Sequence, residues 1–353
     1  MNIYRAAELL KVPERRIIDF SVPTNPLGTS KKIKAELRRH LKDLKNYPDS
    51  DYSRMKKHLS RFHGIKPENL VADGGISELI HLVLCALKPQ KILIPVPTYS
   101  EYEKAFITDQ ASSADASVEY VTSNEKNDFH IDLSEFADKL KKCDAAFLCN
   151  PGYPAGSVLQ KAEVLEIAKE AHMNDCVLIV DEAYIDYVPD ETVVNDVLLN
   201  RGMIVLRSMT GFHALAGLRI GYGVMNENIA GKISELSPRW PVNSMAQRAA
   251  VVALKDKAFR KETYMLIKEE KTYLEKELGK IGIKYYPSSV NYYLLKVPSS
   301  EDLCEYLFRR YILVKKCDDI KGLDRNYICI SVKNHRENTV LIKALREYYK
   351  KRD

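Results

Sequence analysis

The stretch that decides the fold spans residues 207–222 and reads Arg207-Ser208-Met209-Thr210-Gly211-Phe212-His213-Ala214-Leu215-Ala216-Gly217-Leu218-Arg219-Ile220-Gly221-Tyr222. It directly follows Met203-Ile204-Val205-Leu206, a short apolar run of the kind that forms a buried strand. The segments that begin at Asn150 and at Asp181 follow two more such runs. Functional side chains in a parallel α/β sheet gather just beyond the carboxyl ends of its strands. The three segments therefore predict a site at that edge of a sheet.

The middle of the chain alternates short apolar runs with helical stretches. The helical stretches include residues 77–87 and 160–173, and the runs end in Pro, Asn, Asp or Ser. The runs themselves are residues 91–95, 145–149, 176–180 and 203–206. This alternation predicts an α/β fold whose parallel strands are buried on both faces.

The pattern changes after Pro238. Residues 244–278 form one long helical stretch, which leads to a smaller unit. Residues 292–296, 312–314 and 327–332 are typical of its strands, and residues 337–350 of its closing helix. These elements predict a second, smaller α+β unit after residue 237. The chain shows neither an internal repeat nor a low-complexity linker.

The quoted stretch resembles the cofactor-lysine segment of the class I/II aminotransferases, fold-type I proteins that use pyridoxal phosphate (PLP). The resemblance is strongest to the branch of histidinol-phosphate aminotransferase and threonine-phosphate decarboxylase, whose pattern is S-x-T/S-K-x-x-x-x-x-G-L-R-x-G-Y/F. Similar segments run along nearly the whole chain. They are Asp19-Phe20-Ser21 with Asn25-Pro26-Leu27-Gly28, Tyr47-Pro48-Asp49, Gly75-Ile76-Ser77-Glu78-Leu79-Ile80, Pro97-Thr98-Tyr99-Ser100-Glu101-Tyr102, Asp181-Glu182-Ala183-Tyr184 and Pro238-Arg239-Trp240-Pro241-Val242-Asn243.

The resemblance implies the architecture of the chain. Its large domain, residues 46–237, would hold a mostly parallel seven-stranded sheet. Residues 1–45 and 238–353 would form the smaller α+β domain, with the first 45 or so residues packed on the C-terminal part. The resemblance also implies a homodimer, because the family's counterpart of Tyr47 reaches the cofactor phosphate of the neighbouring subunit.

The resemblance further implies a PLP site. A Gly followed by a hydroxyl residue at a helix start presents free N–H groups to an anion, although such turns also begin helices that bind nothing. Taken alone, Tyr99 would be read as a core aromatic residue and Asp181 as a helix cap. The implied contacts are Gly75, Ile76, Ser77, Ser208 and Arg219 with the phosphate, Tyr99 stacked on the ring, Asp181 at the ring nitrogen, and Tyr184 at the 3-oxygen. Asn25 and Asn291 would contact a substrate.

Three positions at the implied reaction centre depart from the family pattern. Gly211 stands where the Schiff-base lysine should be, and glycine has no nucleophile, base or charge. Tyr153 replaces the Asn that bonds the 3-oxygen, and Cys329 replaces the Arg that clamps the substrate α-carboxylate. A cysteine cannot form that bidentate pair. His213 lies two residues beyond Gly211, an offset that directs it to another side of the turn, so it is a poor substitute base.

These departures predict a lysine-less homologue that does not run conventional Schiff-base chemistry. Such a protein could bind PLP, pyridoxamine phosphate (PMP) or another phosphorylated small molecule non-covalently. Two alternatives stay open. One is an active aminotransferase or amino-acid-phosphate decarboxylase, in which Gly211 is a variant or another base acts. The other is a pseudoenzyme subunit that partners an active paralogue.

Composition excludes several other classes of function. The net charge of +6 is mild, and the basic runs lack the aromatic interleaving and the motifs of a nucleic-acid surface. No apolar run approaches the roughly 18 residues that a membrane span needs. Seven cysteines without CxxC spacing predict reduced thiols in a cytoplasmic protein, with neither a disulfide frame nor a metal site.

Overall fold

The structure is a computed structural model, and it describes residues 1–109, 115–200 and 202–351. Within these ranges the strands are β1 (Ile18–Asp19), β2 (Leu70–Asp73), β3 (Lys91–Val96), β4 (Ser117–Thr122), β5 (Ala145–Cys149), β6 (Val177–Asp181), β7 (Met203–Ser208), β8 (Gly221–Val224), β9 (Lys284–Tyr285), β10 (Tyr292–Lys296), β11 (Ile312–Leu313), β12 (Lys315–Lys316) and β13 (Tyr327–Ser331). The helices are α1 (Ile3–Leu10), α2 (Lys31–His40), α3 (Ser53–His63), α4 (Ile76–Leu87), α5 (Glu101–Asp109), α6 (Leu133–Leu140), α7 (Lys161–Met173), α8 (Glu227–Leu236), α9 (Ser244–Lys255), α10 (Lys257–Ile281), α11 (Ser300–Phe308) and α12 (His335–Lys350).

A seven-stranded sheet forms the centre of the described fold, in the order β2-β8-β7-β6-β5-β3-β4. Strands β4, β3, β5, β6 and β7 are parallel, and β8 runs antiparallel to both of its neighbours. Every residue of β5 and β7 is buried, as expected for strands covered by helices on both faces. The predicted α/β class and mostly parallel seven-stranded sheet are therefore confirmed.

Strand β8 reads Gly-Tyr-Gly-Val, and its apolar pattern alone does not predict a strand. Its first residue explains the composition. A Cβ added at Gly221 would lie 2.8 Å from the carbonyl carbon of Gly75 and 2.9 Å from the backbone nitrogen of Ile76. The strand thus needs a residue without a side chain where it meets the turn that opens α4.

The long helical stretch predicted for residues 244–278 is two helices. Helix α9 ends at Lys255 and α10 begins at Lys257. Asp256 between them has φ −85° and ψ 70°, which lies outside the helical region. Its carboxylate accepts a hydrogen bond from Lys32 Nζ at 2.8 Å. The prediction of one continuous helix was therefore wrong at Asp256.

The second unit is a four-stranded antiparallel sheet in the order β12-β13-β10-β9, with α10 and α12 packed together beside it. Strand β1 joins the N-terminal segment to this unit through its parallel pairing with β11. By contrast, Ile33 of α2 lies in the same core as Ala246 and Ala250 of α9 and the strands of the large sheet. The domain bounds at residues 45 and 237 stay predictions. In the part of the chain that the structure covers, no helix has the length and apolarity needed to cross a membrane.

Candidate functional site

A cavity of about 360 Å³ opens beyond the carboxyl ends of β5, β6 and β7. Its volume falls in the range of about 300–1,000 Å³ that is usual for small-molecule sites. Cys149, Asp181 and Ser208, the last residues of those strands, all line it. The full lining is Ser21, Val22, Pro23, Ile76, Ser77, Tyr99, Cys149, Tyr153, Asp181, Ala183, Tyr184, Ser208, Thr210, Arg219 and Lys315. Eight of the thirteen residues predicted for the site thus surround one space: Ile76, Ser77, Tyr99, Tyr153, Asp181, Tyr184, Ser208 and Arg219.

One end of the cavity is formed by the start of α4. Gly75 precedes this helix with φ +136°, a conformation that side chains rarely adopt, and no side chain caps the first N–H groups. A Cβ at Gly75 would lie 2.7 Å from Arg219 Nη2, so the guanidinium packs directly over the glycine. The positive end of the helix dipole and the Arg219 cation therefore meet at this end of the cavity, which suits an anion.

Hydroxyl groups surround the same end. Ser208 Oγ lies 2.7 Å from Thr210 Oγ1 and accepts a hydrogen bond from the Thr210 backbone N–H at 3.1 Å. Ser77 Oγ lies 3.1 Å from the hydroxyl of Tyr99. Arg219 itself is half exposed, with its Nη2 3.8 Å from Glu78 Oε2. This set of donors fits a phosphate, which accepts several charge-assisted hydrogen bonds.

Asp181 lies at the buried floor of the cavity. Its Oδ2 accepts a hydrogen bond from the Tyr102 hydroxyl at 2.6 Å, and its Oδ1 accepts one from the Ala183 backbone N–H at 2.8 Å. Burial raises the pKa of Asp181 to about 6, although both hydrogen bonds act to lower it. A protonated ring nitrogen beside this carboxyl would favour its charged form.

Tyrosine rings form a wall of the cavity. The rings of Tyr153 and Tyr184 meet the ring of Tyr292 edge to face, with centroids 5.6 Å and 5.0 Å apart. The Tyr292 hydroxyl donates to the Gly152 carbonyl oxygen at 2.9 Å, which fixes the central ring. Burial raises the pKa of the Tyr153 and Tyr184 hydroxyls well above its usual value, so both are neutral donors. The wall is suited to a flat, mostly apolar ligand.

Gly211 lies beside this wall, and neither its backbone conformation nor the space around it requires a glycine. A Cβ there would lie 3.4 Å from the Pro23 carbonyl oxygen and 3.5 Å from Tyr184 Cε1, close to ordinary contact distances. The Gly211 carbonyl oxygen accepts a hydrogen bond from the Asn25 backbone N–H at 3.0 Å, which any residue could provide. The backbone at residue 211 therefore has space for a Cβ next to Tyr184.

The three predicted substrate contacts do not line the cavity. Asn25 is buried, and its Nδ2 donates to the Phe212 carbonyl oxygen and to Thr263 Oγ1, each at 2.8 Å. Asn291 Nδ2 donates to the Pro23 carbonyl oxygen at 3.1 Å, while its buried Oδ1 has no hydrogen-bond partner. Cys329 is buried within β13. Their contact with a substrate stays a prediction.

Lys315 is the functional candidate that the sequence did not reveal. It lines the cavity from β12, and its Nζ donates to Asp319 Oδ1 at 2.7 Å and to Oδ2 at 2.5 Å. Its partner in the antiparallel pairing with β13 is Cys329. Directly opposed residues point to the same face of a sheet, so Lys315 is next to the position where the sequence resemblance predicts an Arg. The only signal in the sequence was a Lys that follows a short strand, which is too common to single out.

Tyr47, which was predicted to reach the phosphate, and His213, which was judged a poor substitute base, do not line the cavity. Tyr47 is 78% exposed, and its ring stacks on that of Trp240 with centroids 4.3 Å apart. His213 is buried against Phe212, at a centroid distance of 5.2 Å, and burial lowers its pKa to about 4. The histidine is therefore neutral and turned away from the cavity lining, as its offset from Gly211 predicted.

The folds of known proteins place this architecture in one class. The chain superposes with a TM-score of 0.88 on the histidinol-phosphate aminotransferase from Clostridium acetobutylicum, at 30% identity over 95% of this chain and all of that one. It superposes with the same TM-score of 0.88 on the Sinorhizobium meliloti histidinol-phosphate aminotransferase in complex with PLP. The identity to that protein is 19%, which supports the fold alone. The fold is that of the fold-type I PLP-dependent aminotransferases.

The sequence comparisons define the family. The sequence model of aminotransferase class I and II matches residues 15–345. The chain is 31% identical over 349 residues to threonine-phosphate decarboxylase from Salmonella typhimurium, which covers 98% of this chain and 94% of that protein. It is 28% identical over 350 residues to histidinol-phosphate aminotransferase from Methanococcus aeolicus, with 94% and 90% covered. The chain belongs to the class I and II aminotransferase family.

Proposed function

We propose that this protein binds PLP, PMP or another phosphorylated small molecule non-covalently and does not run the Schiff-base chemistry of its family. One observation carries the proposal. Residues that suit an anion, together with Asp181, line one cavity, whereas Gly211 carries no amine beside Tyr184. The protein would therefore retain recognition of the ligand without its covalent attachment.

The residues present fit a phosphorylated pyridine. Ser77, Ser208 and Arg219 would hold the phosphate together with the start of α4, and Asp181 would face the ring nitrogen. Tyr99 and Tyr184 would contact the ring and its 3-oxygen. When bound, PLP supplies an electron sink for the chemistry of amines. The residues of this chain would bind and orient that group.

The departures at residues 211 and 329 should lower both the rate of the reaction and the affinity for a substrate. General acid–base transfer by a positioned side chain contributes about 10²–10⁴-fold to a rate, and Gly211 cannot provide it. Loss of a buried Arg–carboxylate pair costs about 2–5 kcal/mol of binding. Lys315 would offset part of the second loss because its ammonium group lines the cavity near Cys329. We therefore expect ligand binding with very slow conventional turnover.

An active enzyme would need another amine. Among the described residues that line the cavity, Lys315 is the only one that carries an amine. Its Nζ forms an ion pair with Asp319, so a carboxylate of the protein already binds this amine. This pairing favours a role in anion binding over covalent attachment. A covalent bond between Lys315 and PLP would instead restore the working aminotransferase or decarboxylase alternative.

The test combines binding with chemical trapping. The purified protein is titrated with PMP and with PLP, and the PLP complex is then treated with borohydride and analysed by peptide mass spectrometry. We expect both ligands to bind, weaker binding of PMP to Arg219→Gln, and no borohydride-fixed lysine in the cavity. A PLP group fixed on Lys315, or turnover of threonine phosphate or histidinol phosphate above the background of free PLP, would refute the proposal.

We also propose that the protein is a homodimer. Tyr47 is exposed on the single chain and stacks on Trp240, which is itself 38% exposed. A second copy could cover this pair and receive Tyr47 at its phosphate end. Light scattering tests the assembly, and Tyr47→Ala should weaken both dimerisation and PMP binding. Co-purification with a lysine-bearing paralogue, in place of a homodimer, would support the partner-subunit alternative.

The proposed location is the cytoplasm. All seven cysteines are unpaired, and burial raises the pKa of thiols such as Cys149 and Cys176. Several cysteines without disulfides are typical of a protein in a reducing compartment. Fractionation of cells that express the protein, with thiol labelling of the recovered chain, tests the location. Disulfide-linked cysteines in the recovered protein would contradict it.

A further inference from the structure

The ligand cavity continues into a second, outer cavity of about 620 Å³. Ser21, Val22 and Lys315 line both spaces, so Lys315 lies at their junction. Asp319 lines the outer cavity. Lys315 therefore faces the inner cavity while its ammonium group is bound by the carboxylate of Asp319.

The carboxylate of Asp319 binds Lys315 in the way that the carboxylate of a ligand would. Both carboxylate oxygens of Asp319 lie within hydrogen-bond distance of Lys315 Nζ, at 2.7 Å and 2.5 Å. The Lys315 side chain is 30% exposed and the Asp319 side chain 63% exposed. An exposed carboxylate can turn into solvent at little cost, so a better anion could replace it.

We propose that Asp319 determines the ligand specificity of this site by competing with a ligand's second anionic group for Lys315. The inference rests on the proposed function, because it presumes that a phosphorylated ligand occupies the inner cavity. A ligand that carries only a phosphate leaves the Lys315–Asp319 pair intact. A ligand that also carries a carboxylate has to displace Asp319 and therefore gains less from Lys315.

The charges around the cavity make this competition matter. Among the described lining residues, the cations are Arg219 and Lys315, and each is near a carboxylate of the protein. Cys329 adds no charge where the family has an Arg, and burial raises its pKa to about 12. The charge of Asp319 also reaches the inner cavity, where it contributes to the raised pKa of Tyr153. Among these lining residues, neither cation is therefore free of a protein carboxylate when a ligand brings a second anionic group.

A double-mutant cycle tests the proposal with two stable probes. PMP carries the phosphate alone, and N-(5′-phosphopyridoxyl)-L-alanine, a reduced secondary amine, adds a carboxylate. Their Kd values are measured by calorimetry on the full chain, on Asp319→Asn, on Lys315→Gln and on the double variant. Asp318→Asn is the matched control, because Asp318 forms a similar ion pair with Lys316 at 2.8 Å in the same outer cavity but does not line the inner one.

We expect Asp319→Asn to bind the carboxylate probe about three- to fivefold more tightly, and the Kd for PMP to stay unchanged. This gain corresponds to the removal of one exposed ion pair that competes with the probe. This gain should vanish in the Lys315→Gln background and be absent in Asp318→Asn. Equal gains for both probes, or a gain that survives without Lys315, would overturn the inference. Asp319→Ser should reproduce the Asn result. If PMP fails to bind any variant, the proposed function itself is wrong, which is a distinguishable outcome.

Discussion

Lys315 lies directly opposite Cys329 in the antiparallel pairing of β12 with β13. The sequence resemblance predicts an Arg at residue 329, and this chain instead carries a cation, Lys315, on the neighbouring strand. The two positions share a face of the sheet, but the cations are not equivalent. An ammonium group is a point charge, whereas a guanidinium binds a carboxylate through two parallel bonds. Lys315 would therefore supply charge near this position without the bidentate geometry of an Arg.

A lysine introduced at residue 211 should allow covalent attachment of PLP. The backbone there has ordinary space around a Cβ, and the nearest atoms belong to Pro23 and Tyr184, a residue of the cavity wall. Gly211→Lys, incubated with PLP and reduced with borohydride, should carry the cofactor mass on the peptide that contains residue 211. Gly217→Lys is the matched control, because Gly217 is exposed with nothing near its Cβ position. Labelling of both variants to the same extent would contradict the proposed site.

Gly75→Ala should lose both stability and phosphate affinity. Its φ of +136° strains any side chain, and the new Cβ would lie 2.7 Å from Arg219 Nη2. We expect a loss of about 1–3 kcal/mol in the free energy of unfolding and a weaker Kd for PMP, because Arg219 must move. Urea unfolding and calorimetry measure the two effects.

Gly74→Ala is the control for this substitution. The nearest atoms to its Cβ position, in Glu78 and Pro241, are 3.8 Å away, an ordinary contact distance. It should therefore change both quantities little. A similar loss in the two variants would show that the turn is generally intolerant of side chains, without a specific role for the contact between Gly75 and Arg219.

The sequence predicted the large sheet and the part of the site at its strand ends for a physical reason, whereas the other predicted lining residues came from the family resemblance. Buried parallel strands are short apolar runs, and the residues that follow them are brought to one edge, as Asp181 and Ser208 are. Lys315 could not be found in this way, because its relation to Cys329 depends on a strand pairing between distant segments. The break at Asp256 was missed because the residue is held by Lys32, a contact that helical periodicity does not register.

Arg207→Met should be the most destabilising of these substitutions. Arg207 is buried and donates to Glu182 Oε2 at 2.9 Å and to Asp186 Oδ1 at 2.8 Å. Removing it leaves two carboxylates without their cation, so we expect a loss of about 3–5 kcal/mol in urea unfolding. Their pKa values should rise in the folded variant, which then binds more protons than the wild type. The deficit should therefore shrink as the pH is lowered from neutral.

Arg309→Met is the control for the buried network. Arg309 forms an ion pair with Glu305 while its own side chain is 72% exposed, so its loss should hardly affect the free energy of unfolding. If Arg207→Met were no more destabilising than this variant, the carboxylates of Glu182 and Asp186 would have found other partners. A deficit that stays constant with pH would contradict the predicted rise in their pKa values.

Binding of PMP should weaken as the pH falls through about 6, in a way that depends on Asp181. Burial raises the pKa of this carboxyl to about 6 in the free protein. A protonated ring nitrogen favours the carboxylate, so binding releases a proton wherever Asp181 starts out protonated. Affinity should then rise with pH up to that value and level off above it.

The phosphate group of PMP also titrates near pH 6, so the wild type is compared with Asp181→Asn, which keeps the phosphate effect and removes the carboxyl. Calorimetry in buffers of different ionisation enthalpy counts the released protons, and an identical pH profile in the two proteins would rule out contact between Asp181 and the ring nitrogen.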